Sequence, residues 1–190
     1  MSSNRKYFTL FFLAFVILSC DKNRHIKSYR MPKTNFDISK NNTPKGVQNN
    51  VNGISWNVPE TWMLSVGHSM RLASFDIPFS KGIGDLSVVS LGGASGGLTA
   101  NVNRWRKQIG LDVMTEREIQ AISVNGESKM GSYRLFRLIN DSQQDKAILA
   151  AVMPMDRETL FIKLTANYEG ITELETAFTD FCSSIGMIRK

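Results

Sequence analysis

At 190 residues the chain is long enough for one domain with appendages. Hydrophobic residues make up 42% and charged residues 21%, which excludes a wholly disordered chain, a collagen-like fibre and a polytopic membrane protein. Two cysteines exclude a disulfide scaffold, and a formal charge of +6 raises the question of where the basic residues lie.

Arg5 and Lys6 precede thirteen uncharged, mostly apolar residues, 7–19. A helix of that length rises about 20 Å, short of the roughly 30 Å hydrocarbon core of a bilayer. The run therefore reads as the apolar segment of a signal peptide, residues 1–19. It ends Ile17-Leu18-Ser19-Cys20, which resembles a bacterial lipobox. The resemblance implies a thioether-linked diacylglycerol on Cys20, cleavage before it and acylation of the new N-terminus. Two or three acyl chains would hold the protein firmly at a membrane, since each buried methylene contributes about 0.8 kcal/mol. An ordinary secretory signal with an incidental cysteine is the alternative. Asp21 resembles an inner-membrane retention signal of some enteric bacteria, a rule that is not general, so the choice of membrane stays open.

Residues 20–52 are rich in Asn, Lys, Ser and Thr, carry Pro32 and Pro44, and show no apolar period. They read as a tether. Seven basic and two acidic residues give this stretch +5, and the signal adds +2. Residues 53–190 then hold fourteen basic and fifteen acidic residues, or −1. A pI of about 9.4 would otherwise have suggested nucleic acid as a partner. With the charge confined to the tether, anionic lipid headgroups fit it better. A soluble spacer fits it equally well.

From Gly53 onward the pattern predicts one α+β domain. Strands are expected at Ile54–Val58, at 70–77 before a Ser80-Lys81-Gly82 turn, and at 85–91 before Gly92-Gly93. Leu98, Val102, Trp105 and Ile109 then form one helical stripe, with Thr99 as N-cap and Gly110 as stop. Thr115 and Glu118 have capping-box spacing. Asn125-Gly126 marks a tight turn. Further strands are expected at 133–139, 146–153 and 160–167. Of these, Ala147 to Val152 is continuously apolar, as for a strand buried on both faces, whereas 160–167 alternates and has one more polar face. Ile171, Leu174, Phe178, Phe181, Cys182 and Ile185 form a last helical stripe before Gly186. Short turns between strands imply a single, largely antiparallel sheet packed with helices.

The start Ile54-Ser55-Trp56-Asn57-Val58-Pro59 with Trp62, and the closing strand, loop and helix with Phe178 and Phe181, resemble PsbP-like domains. The stretch from Gly92 through Leu111 resembles uncharacterised bacterial envelope proteins. The resemblance covers 53–188 and implies an α/β/α sandwich acting in assembly or binding. It carries over no catalytic residue.

Gly93-Ala94-Ser95-Gly96-Gly97 matches G-x-S-x-G between a predicted strand and a predicted helix. A serine nucleophile needs a base. The two histidines, His25 and His68, both precede Ser95, so a hydrolase is the least favoured reading. The same glycines, at a helix N-terminus with Arg104 close behind, suit a small anionic ligand. Asn101, Arg104 and Gln108 fall at i, i+3 and i+7 and share a face, which is either a polar recognition surface or a row paired with a neighbouring strand. Cys182 reads as core, and Trp56, Trp62 and Trp105 as core aromatics. No Cys/His cluster is present, so no metal or other cofactor is expected.

The expectation is a lipoprotein of the bacterial envelope, anchored through Cys20 on the periplasmic side or at the outer membrane. Its domain, 53–190, is expected to be a non-catalytic binding or assembly module with an envelope protein as partner. The alternative is a small-ligand binder using Gly93, Ser95, Gly96, Asn101, Arg104 and Gln108.

Overall fold

Six consecutive apolar side chains, 147–152, leave a strand no polar face, and the fold answers by covering both. The structure, a computed structural model, describes residues 47–66, 70–93 and 97–188, with backbone alone for 47–50. Calls on Cys20, His25, His68, Ser95 and Gly96 fall outside the described residues. The elements in chain order are β1 (Val47–Val51), β2 (Ile54–Val58), β3 (Met63–Leu64), β4 (Ala73–Phe79), β5 (Gly82–Gly92), α1 (Gly97–Gln108) and α2 (Glu116–Ile122). They continue with β6 (Val124–Ser128), β7 (Gly131–Ile139), β8 (Ala147–Pro154), β9 (Glu158–Ala166), α3 (Tyr168–Ser184) and β10 (Gly186–Met187).

A seven-stranded sheet runs β3-β4-β5-β9-β8-β7-β6, and a second sheet of three runs β1-β2-β10. Every described pairing is antiparallel. On β8, Ala147, Leu149, Ala151 and Met153 face one core with Phe178, Phe181 and Cys182 of α3. Ile148, Ala150 and Val152 face the other, with Val102 and Trp105 of α1, Ile109 just after it and Ile119 of α2. The period of two along β8 thus separates two cores, and the result is the expected α+β sandwich of helix, sheet and helices. β2 adds Ile54, Trp56 and Val58 to the α3 core, where Trp56, Trp62 and Phe75 pack around Phe181. Full burial of such side chains stabilises by roughly 1.5–3 kcal/mol each for the aliphatics and Phe.

Local chemistry sets the helix ends. Thr115 caps α2 in a complete capping box with Glu118, and Asn167 caps α3 through the Gly170 amide, which donates to Asn167 Oδ1 at 2.8 Å. Gly110 ends the α1 turn with φ +72°, a left-handed conformation that favours glycine. Asn140 Nδ2 donates to the Ile109 carbonyl at 2.8 Å, satisfying an acceptor that the helix leaves open.

Three expectations change. Residues 47–51, read as part of the tether, form β1, which pairs with β2 from Val47↔Val58 to Val51↔Ile54. The folded unit therefore begins no later than Val47 rather than at Gly53. Thr99 lies inside α1, which starts at Gly97. Asn125-Gly126 is strand, not turn: it belongs to β6, and the chain reverses at residues 129–130 instead. Among the described residues no helix is long and apolar enough to cross a membrane.

Candidate ligand-binding face

The sheet has two characters on its α1 side. Beneath α1 and α2 it presents Phe136, Leu138, Ile148, Ala150 and Val152. Further across, the same face turns polar, because cross-strand register aligns Ser74, Ser87 and Lys163 in one row and Asp76, Asp85 and Thr165 in the next. Helix α1 borders this change.

Lys163 rises from β9 beside α1, and its Nζ donates to Gln108 Oε1 at 3.2 Å. Burial of the ammonium pushes its pKa below the usual lysine value; the carboxylate of Asp85 opposes this, while the guanidinium groups of Arg71 and Arg104 add to it. Arg71 forks around Asp85, with Nη1 donating to Oδ1 at 2.8 Å and Nη2 to Oδ2 at 3.1 Å. Its Nη1 also donates to Ser74 Oγ at 3.2 Å. The fork accounts for how two charged groups tolerate a partly buried sheet face.

Of the residues singled out by spacing, Arg104 and Gln108 are exposed on α1. Asn101 is only 1% exposed. Its Nδ2 donates to the Gly97 carbonyl at 2.8 Å, and its Oδ1 accepts from Arg104 Nη2. Asn101 thus orients Arg104 and does not itself meet solvent. Spacing placed three residues on one face, and the structure adds what that face rests on: Gln108 pairs with a strand, through a lysine that the sequence marked only as part of a polar alternation.

Gly93 lies apart from this group. With φ +65°, it lines a cavity of about 210 Å³ together with Gly97, Leu98, Arg134, Val152 and Phe161. Arg104 and Gln108 do not line that cavity. Asn101, bonded to the Gly97 carbonyl, links the described glycines to the α1 row, whose exposed members stay off that cavity. A second groove, of about 900 Å³, has Ile54, Leu72, Met130, Met155 and Met187 on its walls.

Other reactive types are structural where they are described. Cys182 is fully buried, and desolvation pushes its thiol far above the ordinary range, which suppresses thiolate chemistry. Arg106, also buried, donates from Nε to the Asp112 carbonyl at 2.7 Å. Among the described residues no group of three or more His, Cys, Asp or Glu side chains is placed to hold a metal.

Neither a family model nor a curated protein matches the sequence. Among solved structures, a crystal structure from Bacteroides thetaiotaomicron is similar at a TM-score of 0.44 and 12% identity, over 77% of this chain and 48% of its own. The chain thus spans about half the length of that protein. The solution structure of a cyanobacterial PsbP from Synechocystis is similar at a TM-score of 0.44 and 15% identity, over 71% of this chain and 86% of its own. The α+β class itself stands on the strands and helices described above.

Proposed function

We propose that the protein is a lipoprotein of the bacterial envelope, held at a membrane through Cys20, whose folded domain binds a ligand or partner without catalysing a reaction. The binding half is supported by one observation: the polar sheet face at Lys163, bordered by Arg104 and Gln108 of α1, gathers cations and hydrogen-bond donors. Such groups hold and orient a ligand. The anchoring half is supported by the Ile17-Leu18-Ser19-Cys20 sequence behind a signal-like apolar run.

Anchoring is tested by growing expressing cells with an alkyne-tagged fatty acid. The natural chain should take up label and partition with membranes, and Cys20→Ser should do neither. A labelled Cys20→Ser protein would overturn the anchor. Crosslinking in intact cells, followed by mass spectrometry of the membrane fraction, then asks whether an envelope protein is bound.

A further inference from the structure

We propose that Asn52 is a site of spontaneous covalent modification, where the side-chain amide is lost by cyclisation onto the Gly53 nitrogen and the residue becomes aspartate or isoaspartate. The site is independent of the anchor and of the binding module proposed above.

The chain contains the tripeptide Val-Asn-Gly twice, at 51–53 and at 124–126. The local chemistry of the two is the same: an asparagine amide carbon, the nitrogen that follows it, and a glycine with no Cβ to hinder approach. The fold treats them differently. Asn52 and Gly53 form the two-residue turn between β1 and β2, with φ +53° and +80°, the pattern of a type I′ hairpin. Asn52 is exposed. Chain neighbours aside, nothing lies within 4 Å of where a Cβ on Gly53 would stand. Asn125 is instead paired with Arg134, and Gly126 with Tyr133, whose ring covers the glycine.

In the reaction the Gly53 nitrogen attacks Asn52 Cγ. The N–Cγ bond forms, the Cγ–Nδ2 bond breaks, and Nδ2 leaves as ammonia with the proton of the Gly53 amide. Water then opens the five-membered imide at one of two bonds. Cleavage at Cγ gives aspartate. Cleavage at the main-chain carbonyl gives isoaspartate, whose main chain runs through Cβ and Cγ. Ring closure requires the main chain to rotate at the asparagine. At Asn52 that rotation disturbs a turn outside the ladder, together with the bond from the Ile188 amide to the Gly53 carbonyl. At Asn125 it would break the β6 pairs on both sides and drive Gly126 against Tyr133. Local opening costs little at an exposed turn and much inside a paired strand.

The two products differ in consequence. Aspartate tolerates the left-handed conformation, so it keeps the turn. It adds a carboxylate to the groove that Asn52 lines with Met187, Asp156 and Glu158. Isoaspartate inserts a methylene into a two-residue turn, which shifts the Val51↔Ile54 register and withdraws the Gly53 carbonyl from Ile188.

The test ages the full-length chain, in neutral maltoside micelles, in mildly alkaline buffer. Peptide mass spectrometry follows the exchange of amide for carboxylate at both asparagines. In the folded chain Asn52 should convert about tenfold faster than Asn125, or more, because the paired strand must open first. Isoaspartate should be among the products. In denaturant the two rates should converge, since the tripeptides are the same. Equal rates in the folded chain, or a faster Asn125, overturn the site. A difference that persists undiminished in denaturant also overturns it, because the following residues, Ile54 and Glu127, would then set the rates in place of the fold.

Discussion

Gly126 of β6 lies directly opposite Tyr133 of β7, and the tyrosine ring fills the space that any larger residue would claim. A Cβ at position 126 would stand 2.2 Å from Tyr133 Cζ, with Cε2 at 2.5 Å and the phenolic oxygen at 2.6 Å. Tyr133 is 2% exposed, so the ring has little room to retreat. Gly126→Ala should therefore destabilise the domain by about 1–3 kcal/mol through overpacking. Thermal unfolding checks this. Adding Tyr133→Leu to Gly126→Ala should recover part of the loss, and a double variant as unstable as the sum of its parts would show that the ring is not the cause.

The pH dependence of stability should carry the signature of Lys163. Its pKa in the fold is below the usual 10.5, with desolvation as the largest cause. Between the folded value and 10.5 the unfolded chain binds more protons, so Lys163 makes stability rise with pH in that window. Below the window the penalty on the charged form is present in full. Lys163→Met should then be more stable than the natural chain at neutral pH, with the difference shrinking toward pH 10.5. Asp85→Asn should lower the Lys163 pKa further, because Asp85 is the charge that raises it. Denaturant unfolding across pH and NMR titration of labelled lysines measure the two effects.

Helix α3 depends on its N-cap, Asn167. Asn167→Ala removes the acceptor of the Gly170 amide and should cost about 1 kcal/mol, seen as a lower midpoint in denaturant with an unchanged slope. At α2 the Thr115 amide, which donates to Glu118 Oε2 at 2.7 Å, and next the Thr115 hydroxyl, hold the Glu118 pKa below its ordinary value. A depressed carboxylate supports the fold above its unfolded pKa, and that support is lost as pH falls through the folded one. Thr115→Ala removes only the hydroxyl, so the Glu118 pKa should rise part of the way back, as followed by NMR.

Phe181 is the meeting point of the α3 core. Its ring centroid lies 5.1 Å from that of Trp62, 6.0 Å from Phe75 and 6.2 Å from Trp56. Phe181→Ala should cost about 3–5 kcal/mol, a fall in Tm of roughly 10 °C for a chain of this size. Phe181→Leu, which keeps most of the volume, should cost clearly less.

Elements with an internal apolar pattern were legible in the sequence. Ile54–Val58 is β2 at both ends, and the unbroken run 147–152 and the stripe ending at Ile185 became β8 and α3. Strands made by their neighbours were not. β1 reads Val-Gln-Asn-Asn-Val and has the composition of a linker; β2 supplies the partner that makes it a strand. Asn125-Gly126 has the local chemistry of a turn, but the glycine answers a cross-strand demand from Tyr133. The same distinction applies to the ligand-binding face. Periodicity put Arg104 and Gln108 together because helical spacing is local. Lys163 joins Gln108 over a separation of 55 residues, and no local pattern reports that.

The pairing of β10 with β2 bears on when the domain can finish folding. Gly186 and Met187 lie against Ser55 and Ile54, and the Ile188 amide donates to the Gly53 carbonyl at 2.9 Å. A chain that emerges N-terminus first presents β2 early, with one flank open until Gly186 and Met187 follow. Closure of the small sheet is then a late, long-range event in a topology already rich in distant contacts, which slows folding. For the exported lipoprotein proposed above, such a delay would favour passage through a translocation pore, where a domain that locked early would stall. The pairing also sets β10 beside the β1–β2 turn at Gly53, whereas Val47, where the described domain begins, pairs with Val58 at the opposite end of β2.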